Sequence, residues 1–500
     1  MLAYMPDLPM GVFMMKTCVS FLAFICFVSV GTPALAAAAT AEEAQRLAGV
    51  FQTYLGKEAG VVTVIPSGES YDVKLDFVPL LAKVTAPGFS VEGSPMEMKL
   101  TQQGSGKWLL SQDSPLSYYA TMPGGLKIVV KIGNLKSDSI FDQNLAALVS
   151  STSDISDFSV DQTMVMPDGR SAHVAYVIKS ARYETVMKPA GLGKFDATTR
   201  SEMIGLVEKL SMPPSPGTSA PTDIVVTVRR VEQEGTLKGL RVQSAAQLLA
   251  WFVAHPSFDV IRAEQTELKN LVRDSLPFFD NASSTTIFQT LSVETPVGPV
   301  SIGNLGLNVS MNGIVANGKL HERLYIVGLR IPDQLVPSWA AELVPETLVL
   351  DFTVTDFNLA DPLQIILDSV DLSVPPPPNP GLETKLLAAL LPKGAVTVSL
   401  GPSKIVGKTF DVGFEGSMVA GPMATPLGQA TIKAKGFDQV IEALKTAPPD
   451  VGGKAMPGII AAKGMAKTEA DGSLSWKIEN TISGTVLVNG IDVSKMGGGG

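Results

Sequence analysis

Apolar and charged residues alternate without a break from Tyr71 to Phe77, and the same two-residue period returns from Met96 to Leu100. A period of two puts every apolar side chain on one face of an extended strand and every charge on the other. Such strands belong to antiparallel sheets with one dry and one wet face. The chain must therefore supply something to cover, or to use, a long apolar sheet face.

Further strands are expected over Leu126–Leu135, Ile224–Val228, Leu348–Val354, Ala395–Leu400, Phe410–Phe414, Ala430–Lys435 and around Trp476–Ile478. Met164–Val165–Met166 and Ala172–Ile178 flank Pro167–Asp168–Gly169, the composition of a hairpin tip. Helical spacing of apolar residues predicts helices beginning near Ala44 and over Ser139–Ser150, Arg200–Leu210, Ser244–Ala254, Phe258–Ser275 and Phe437–Lys445. Asp361–Pro362 reads as a helix start, with Asp as N-cap and Pro at the first helical position. A strand, a Gly or Asp corner and a short helix recur at Val129–Leu148, Phe352–Leu367 and Ile432–Leu444, as a duplicated lobe would show. The expected fold class is α+β and β-rich, with curved antiparallel sheets, short amphipathic helices and duplicated lobes.

The N-terminal stretch reads as an export signal. Lys16 precedes a mostly apolar run from Val19 to Val30, and Pro33 and Ala34–Leu35–Ala36 follow. The run is shorter than the roughly 20 residues a membrane span needs. Cleavage near Ala36 would remove Cys18 and Cys26, the two cysteines of the chain. The expected location is the periplasm of a Gram-negative cell, with no transmembrane segment after cleavage. Breakers divide the rest. Residues 1–36 are the signal, 37–210 an N-terminal β-rich lobe with helices, and 211–222 a Pro/Ser linker. Residues 223–374 form a middle α+β lobe, 375–380 a Pro-rich spacer, 381–490 a C-terminal β-rich portion and 491–500 a Gly-rich tail.

Charge and motifs exclude more than they assign. The net charge is −9 and the densest basic pair is Arg229–Arg230. Nucleic acid needs clustered Lys and Arg, so it is not an expected partner. Gly401–Thr409 is similar to a phosphate-binding loop, but five residues separate its glycines and β-type sequence follows instead of a helix. His321–Glu322 begins like a zinc-protease helix, yet Tyr325 occupies the position of the second His. The three histidines, His173, His255 and His321, are far apart in sequence. No Gly-x-Ser-x-Gly elbow is present. No residue is singled out as catalytic, cofactor-binding or metal-binding, no cofactor is expected, and the ligand-binding residues are left unassigned.

One stretch is family-like. From Gly328 the chain reads GLRIPDQLVPSWAAELVPETLVLDFTVTDFNLADP, and Gly421–Ala430 reads GPMATPLGQA. These segments resemble secreted alphaproteobacterial proteins of domain-of-unknown-function family 2125, over the C-terminal half. The resemblance implies compartment and architecture and carries over no functional residue. The function expected first is non-enzymatic: an exported envelope protein that binds a hydrophobic ligand, either a lipid or an outer-membrane client. A structural or protein-interaction module of the periplasm is the alternative, and a hydrolase with an unrecognised carboxylate site the second alternative.

Overall fold

The computed structural model describes residues 38–493 apart from 83–87, 144, 146, 167, 192, 215–221, 256, 374–379 and 423. The signal segment 1–36 lies outside the described residues. So do most of the linker, all of the Pro-rich spacer except Pro380, and tail residues 494–500.

The chain opens with helix α1 (Ala41–Leu55), where Thr40 accepts a hydrogen bond from the Glu43 backbone N–H at 3.1 Å and so caps the first turn. Strands β1 (Val62–Ser67) and β2 (Ser70–Leu75), short helix α2 (Val78–Leu81), β3 (Ser90–Gly93), β4 (Met96–Gly104) and β5 (Lys107–Thr121) follow. Five long strands come next: β6 (Lys127–Asp142), β7 (Ala147–Val165), β8 (Ser171–Gly191), β9 (Lys194–Met212) and β10 (Thr222–Leu240). Helices α3 (Val242–Ala254), α4 (Phe258–Ala263) and α5 (Gln265–Ser275) lead to β11 (Asn281–Val293), β12 (Val300–Asn312), β13 (Gly318–Val327) and β14 (Pro345–Phe357). Then come α6 (Ala360–Ser369), α7 (Pro380–Leu390), β15 (Val396–Gly407), β16 (Asp411–Gly421) and β17 (Ala424–Lys435). The chain finishes with α8 (Phe437–Lys445), α9 (Pro449–Met465), β18 (Lys467–Thr468), β19 (Leu474–Asn480), β20 (Val486–Val488) and β21 (Ile491–Asp492).

All these strands belong to one antiparallel sheet. From β4 to β17 each strand pairs with the next in sequence, so the sheet is a meander. The β1–β2 hairpin extends it beyond β4, and β19, β20 and β21 extend it beyond β17. No pairing joins β1 to β21 among the described residues, so the sheet is long, curved and unclosed. The fold is a β-rich α+β fold, as the alternation implied. The stretches 37–210, 223–374 and 381–490 are hydrogen-bonded to one another. Strands β9 and β10 pair from Met212 opposite Thr222 onward, and β14 pairs with β15.

Some local expectations are corrected. Ser139–Ser150 is not a helix but the end of β6, a turn and the start of β7; the Asp142 carboxylate accepts from the Leu145 backbone N–H in that turn. The first of the three strand-to-helix corners is therefore a β-hairpin, whereas β14 and β17 do run into helices. Arg200–Leu210 lies inside β9. Asp361 lies inside the first turn of α6 instead of capping it; Leu359 is the N-cap, and the Asn358 side-chain oxygen accepts from the Asp361 backbone N–H at 3.0 Å. The Asp168–Gly169 hairpin tip is as expected, with Arg170 folded onto Asp168.

Candidate functional site: a creased apolar groove

Strand β8 is 21 residues long, about 70 Å of extended chain. Strands of that length do not stay flat here. At mid-strand each ladder from β6 to β12 skips one residue: Gly133, Asp157, Lys179, Gly205, Arg229, Thr290 and Gly303. Three of these have left-handed backbone: Asp157 at φ +52°, Gly205 at +68° and Thr290 at +55°. They fall on β7, β9 and β11, and Gly328, just past β13, continues the series at +73°. A left-handed residue in a strand breaks the pleat and bends it, here without shifting the register of the ladder. Bends aligned across neighbouring strands add up to a crease running across the sheet.

The crease changes which residues share a face. On a regular strand, residues three apart point to opposite sides. Here Ile178 and Ala181, and likewise Val228 and Val231, are buried in one cluster with Leu206, against which Ile155, Phe158, Met203, Phe288 and Leu291 pack. The cluster is built wholly from strand residues. Its burial comes from the two halves of each strand closing on each other, which makes this the concave face.

The alternation then assigns the walls. On one side of the crease the concave face carries Val130, Val160, Val174, Tyr176, Leu210 and Val226, all apolar or aromatic. On the other it carries a neutral polar band. There Ser139 and Ser151 hydrogen-bond at 2.8 Å, and Gln233 donates to Ser284 at 3.3 Å. Tyr183 also stands on that side. Burial raises the Tyr183 hydroxyl pKa. For Tyr176, burial, then Tyr183 and Glu208, push the value to about 12. Towards the C-terminus the same face continues through Leu324, Phe352, Leu400, Phe414, Ile432 and Ile478, all half-buried.

Helices cover only parts of this face. Phe51 and Leu47 of α1 pack on Tyr71, Val73, Leu75, Leu100, Trp108 and Phe141 at the N-terminal end. Val242 and Ala246 of α3 pack on Met187, Phe195 and Ala197 near the strand ends. Trp476 is covered by Phe437 of α8 and donates its indole N–H to the Ala462 carbonyl of α9 at 2.7 Å.

The opposite face carries ion pairs set among exposed valines, Val177, Val186 and Val207. Arg182 pairs with Asp154 and Glu184, each at 2.9 Å; Arg230 pairs with Glu202 at 2.9 Å, and Lys209 with Asp223 at 2.9 Å. A separate open cavity of about 660 Å³ lies on this outer face near the N-terminus, where Asp72, Lys74, Glu97, Lys99, Lys136 and Asp138 alternate in sign.

The tempting motifs fall apart in three dimensions. His173 pairs with Asp161 on the outer face, His255 stacks on Trp251, and His321 lies 3.0 Å from Asp351. Among the described residues no group of three His, Cys, Asp or Glu is placed to hold a metal. Gly401–Thr409 spans the end of β15 and the turn into β16, where the Gly407 backbone N–H donates to the Phe410 carbonyl at 2.9 Å. Sequence reasoning missed the groove floor, whose one local trace is the pairs of apolar residues three apart, Ile178 with Ala181 and Val228 with Val231. Comparison with protein-family models, curated proteins and solved structures finds no match.

Proposed function

We propose that this chain is an exported, non-enzymatic envelope protein whose creased groove holds the acyl chains of a lipid. One observation carries the reading: half-buried apolar walls flank a floor that no helix among the described residues covers, while ion pairs stand on the opposite face. The floor is already buried; the half-buried walls beside it, which no helix among the described residues covers, keep apolar surface in water at a cost of roughly 25 cal/mol per Å². An acyl chain lying along them would remove that cost without needing a directional contact. Floor and walls are concave, as small-molecule sites are.

Native mass spectrometry of protein purified from the periplasm tests this directly. The expected spectrum shows lipid-mass adducts. Val160→Glu with Val226→Glu, two half-buried wall positions, should strip those adducts while circular dichroism stays unchanged. Bare wild-type protein in every preparation would sink the proposal.

A second reading has its own observation. Strand β1 pairs only with β2 among the described residues, so its other edge is available for strand addition by a partner protein. Crosslinking from Ile65, which is 56% exposed, would capture such a partner in cells.

A further inference from the structure

The groove is selective in charge as well as apolar. Following the alternation through the ladders, the Lys and Arg of the described strands fall on the outer face or, as the exposed Lys179 and Arg229, at the crease itself. Among the described residues of β7 to β13 the concave face keeps two charges, both carboxylates. Glu208 stands on β9 between Tyr176 and Val226, and Glu322 stands on β13 between Val309 and Phe352. Both are half-buried. Their neighbours across the ladders are apolar or aromatic, so each carboxylate sits where water is partly excluded, with no cation paired to it among the described residues.

Such a surface discriminates between amphiphiles that share the same tails. A fatty acid, or a phospholipid whose head carries only phosphate charge, would bring an anion onto a face whose charged groups, among the described residues of β7 to β13, are two acids. Like charges in a partly desolvated site repel more strongly than in bulk water. A head with a terminal ammonium offers each carboxylate a partner, and the serine, threonine and glutamine band across the crease can hydrogen-bond its ester and phosphate oxygens. We infer that the groove takes net-neutral, amine-bearing phospholipids in preference to anionic ones, with Glu208 and Glu322 as the residues that set the preference. This rests on the groove being a lipid site.

The experiment separates the two claims. Purified full-length mature protein is incubated with vesicles of equimolar phosphatidylethanolamine and phosphatidylglycerol carrying identical acyl chains, then re-isolated, and its bound lipids are counted by native mass spectrometry. The expected result is phosphatidylethanolamine enriched about fivefold over phosphatidylglycerol. Combining Glu208→Gln with Glu322→Gln should return the ratio to that of the vesicles, and Glu208→Lys should turn it toward phosphatidylglycerol. Equal capture by the wild type, or an unchanged ratio in the double variant, overturns the charge selection alone. No lipid captured by the wild type overturns the groove reading itself.

Discussion

The N-terminal wing and the central sheet begin from the same two-residue alternation and solve the problem of the dry face differently. In the wing, β1, β2, β4 and β5 lie under α1, and Phe51, Val61 and Leu75 are almost completely buried. In the centre no helix among the described residues lies over the middle of β7 to β11, and burial is reached by bending the strands about the crease. The wing is a two-layer core; the centre is one layer folded on itself. Alternation alone therefore says that a face is dry and not what keeps it dry.

The comparison breaks first at Phe51. Phe51→Ala should cost about 3–5 kcal/mol, because a large aromatic at 1% exposure leaves a cavity that sheet and helix close only in part. Chemical denaturation followed by tryptophan fluorescence would show it, since Trp108 belongs to the same cluster. Lipid capture by the central groove should survive at denaturant-free conditions. If capture falls in step with stability, wing and groove are one cooperative unit and the contrast fails.

The crease is tested at Gly205. Valine there would need a left-handed backbone that β-branched residues resist, and its Cβ would sit 3.2 Å from the Lys179 Cβ. A cost of about 2 kcal/mol is expected from conformation and crowding together, read as a lowered denaturation midpoint. Loss of bound lipid at temperatures where the protein is still folded would locate the effect in the groove. Gly205→Val with unchanged stability would mean that the bend is set elsewhere.

The crease also explains what the sequence hid. Met203 and Leu206 are three apart, a helical spacing, and that is why Arg200–Leu210 reads as a helix. In the fold they share a face because Ile204–Gly205 forms the bend between them. Phe141 and Leu148 mislead in another way: seven residues apart, they suggest two helical turns but sit directly opposite each other on β6 and β7. The wing was legible because its period of two is unbroken from Tyr71 to Phe77. The groove was not, since its floor exists only where separate strands bend in register, and pairing is invisible to local periodicity. The outer face was legible in part, as the charged half of each alternating run.

A smaller effect distinguishes floor from wall. Burial raises the Tyr176 hydroxyl to about 12, above its ordinary value near 10. The folded chain then holds a proton that the unfolded chain has released between those two values. This stability is fully present below pH 10 and lost as pH rises toward 12. Denaturation midpoints should fall across that window, and Tyr176→Phe should flatten the fall. A flat wild-type profile would place Tyr176 in contact with water rather than against the floor.

The smallest effect belongs to the outer face. Arg182 bridges Asp154 and Glu184, yet all three side chains are about half exposed. Exposed pairs contribute about 0–1 kcal/mol and weaken with salt, so Arg182→Ala should barely move the midpoint and should leave bound lipid untouched. The comparison gives that near-silence a meaning. If the central sheet is dry on one face only, charges on the other keep it soluble and contribute little to its stability. A loss of several kcal/mol at Arg182 would show that the outer face is packed against something, and the single-layer description of the centre would have to be given up.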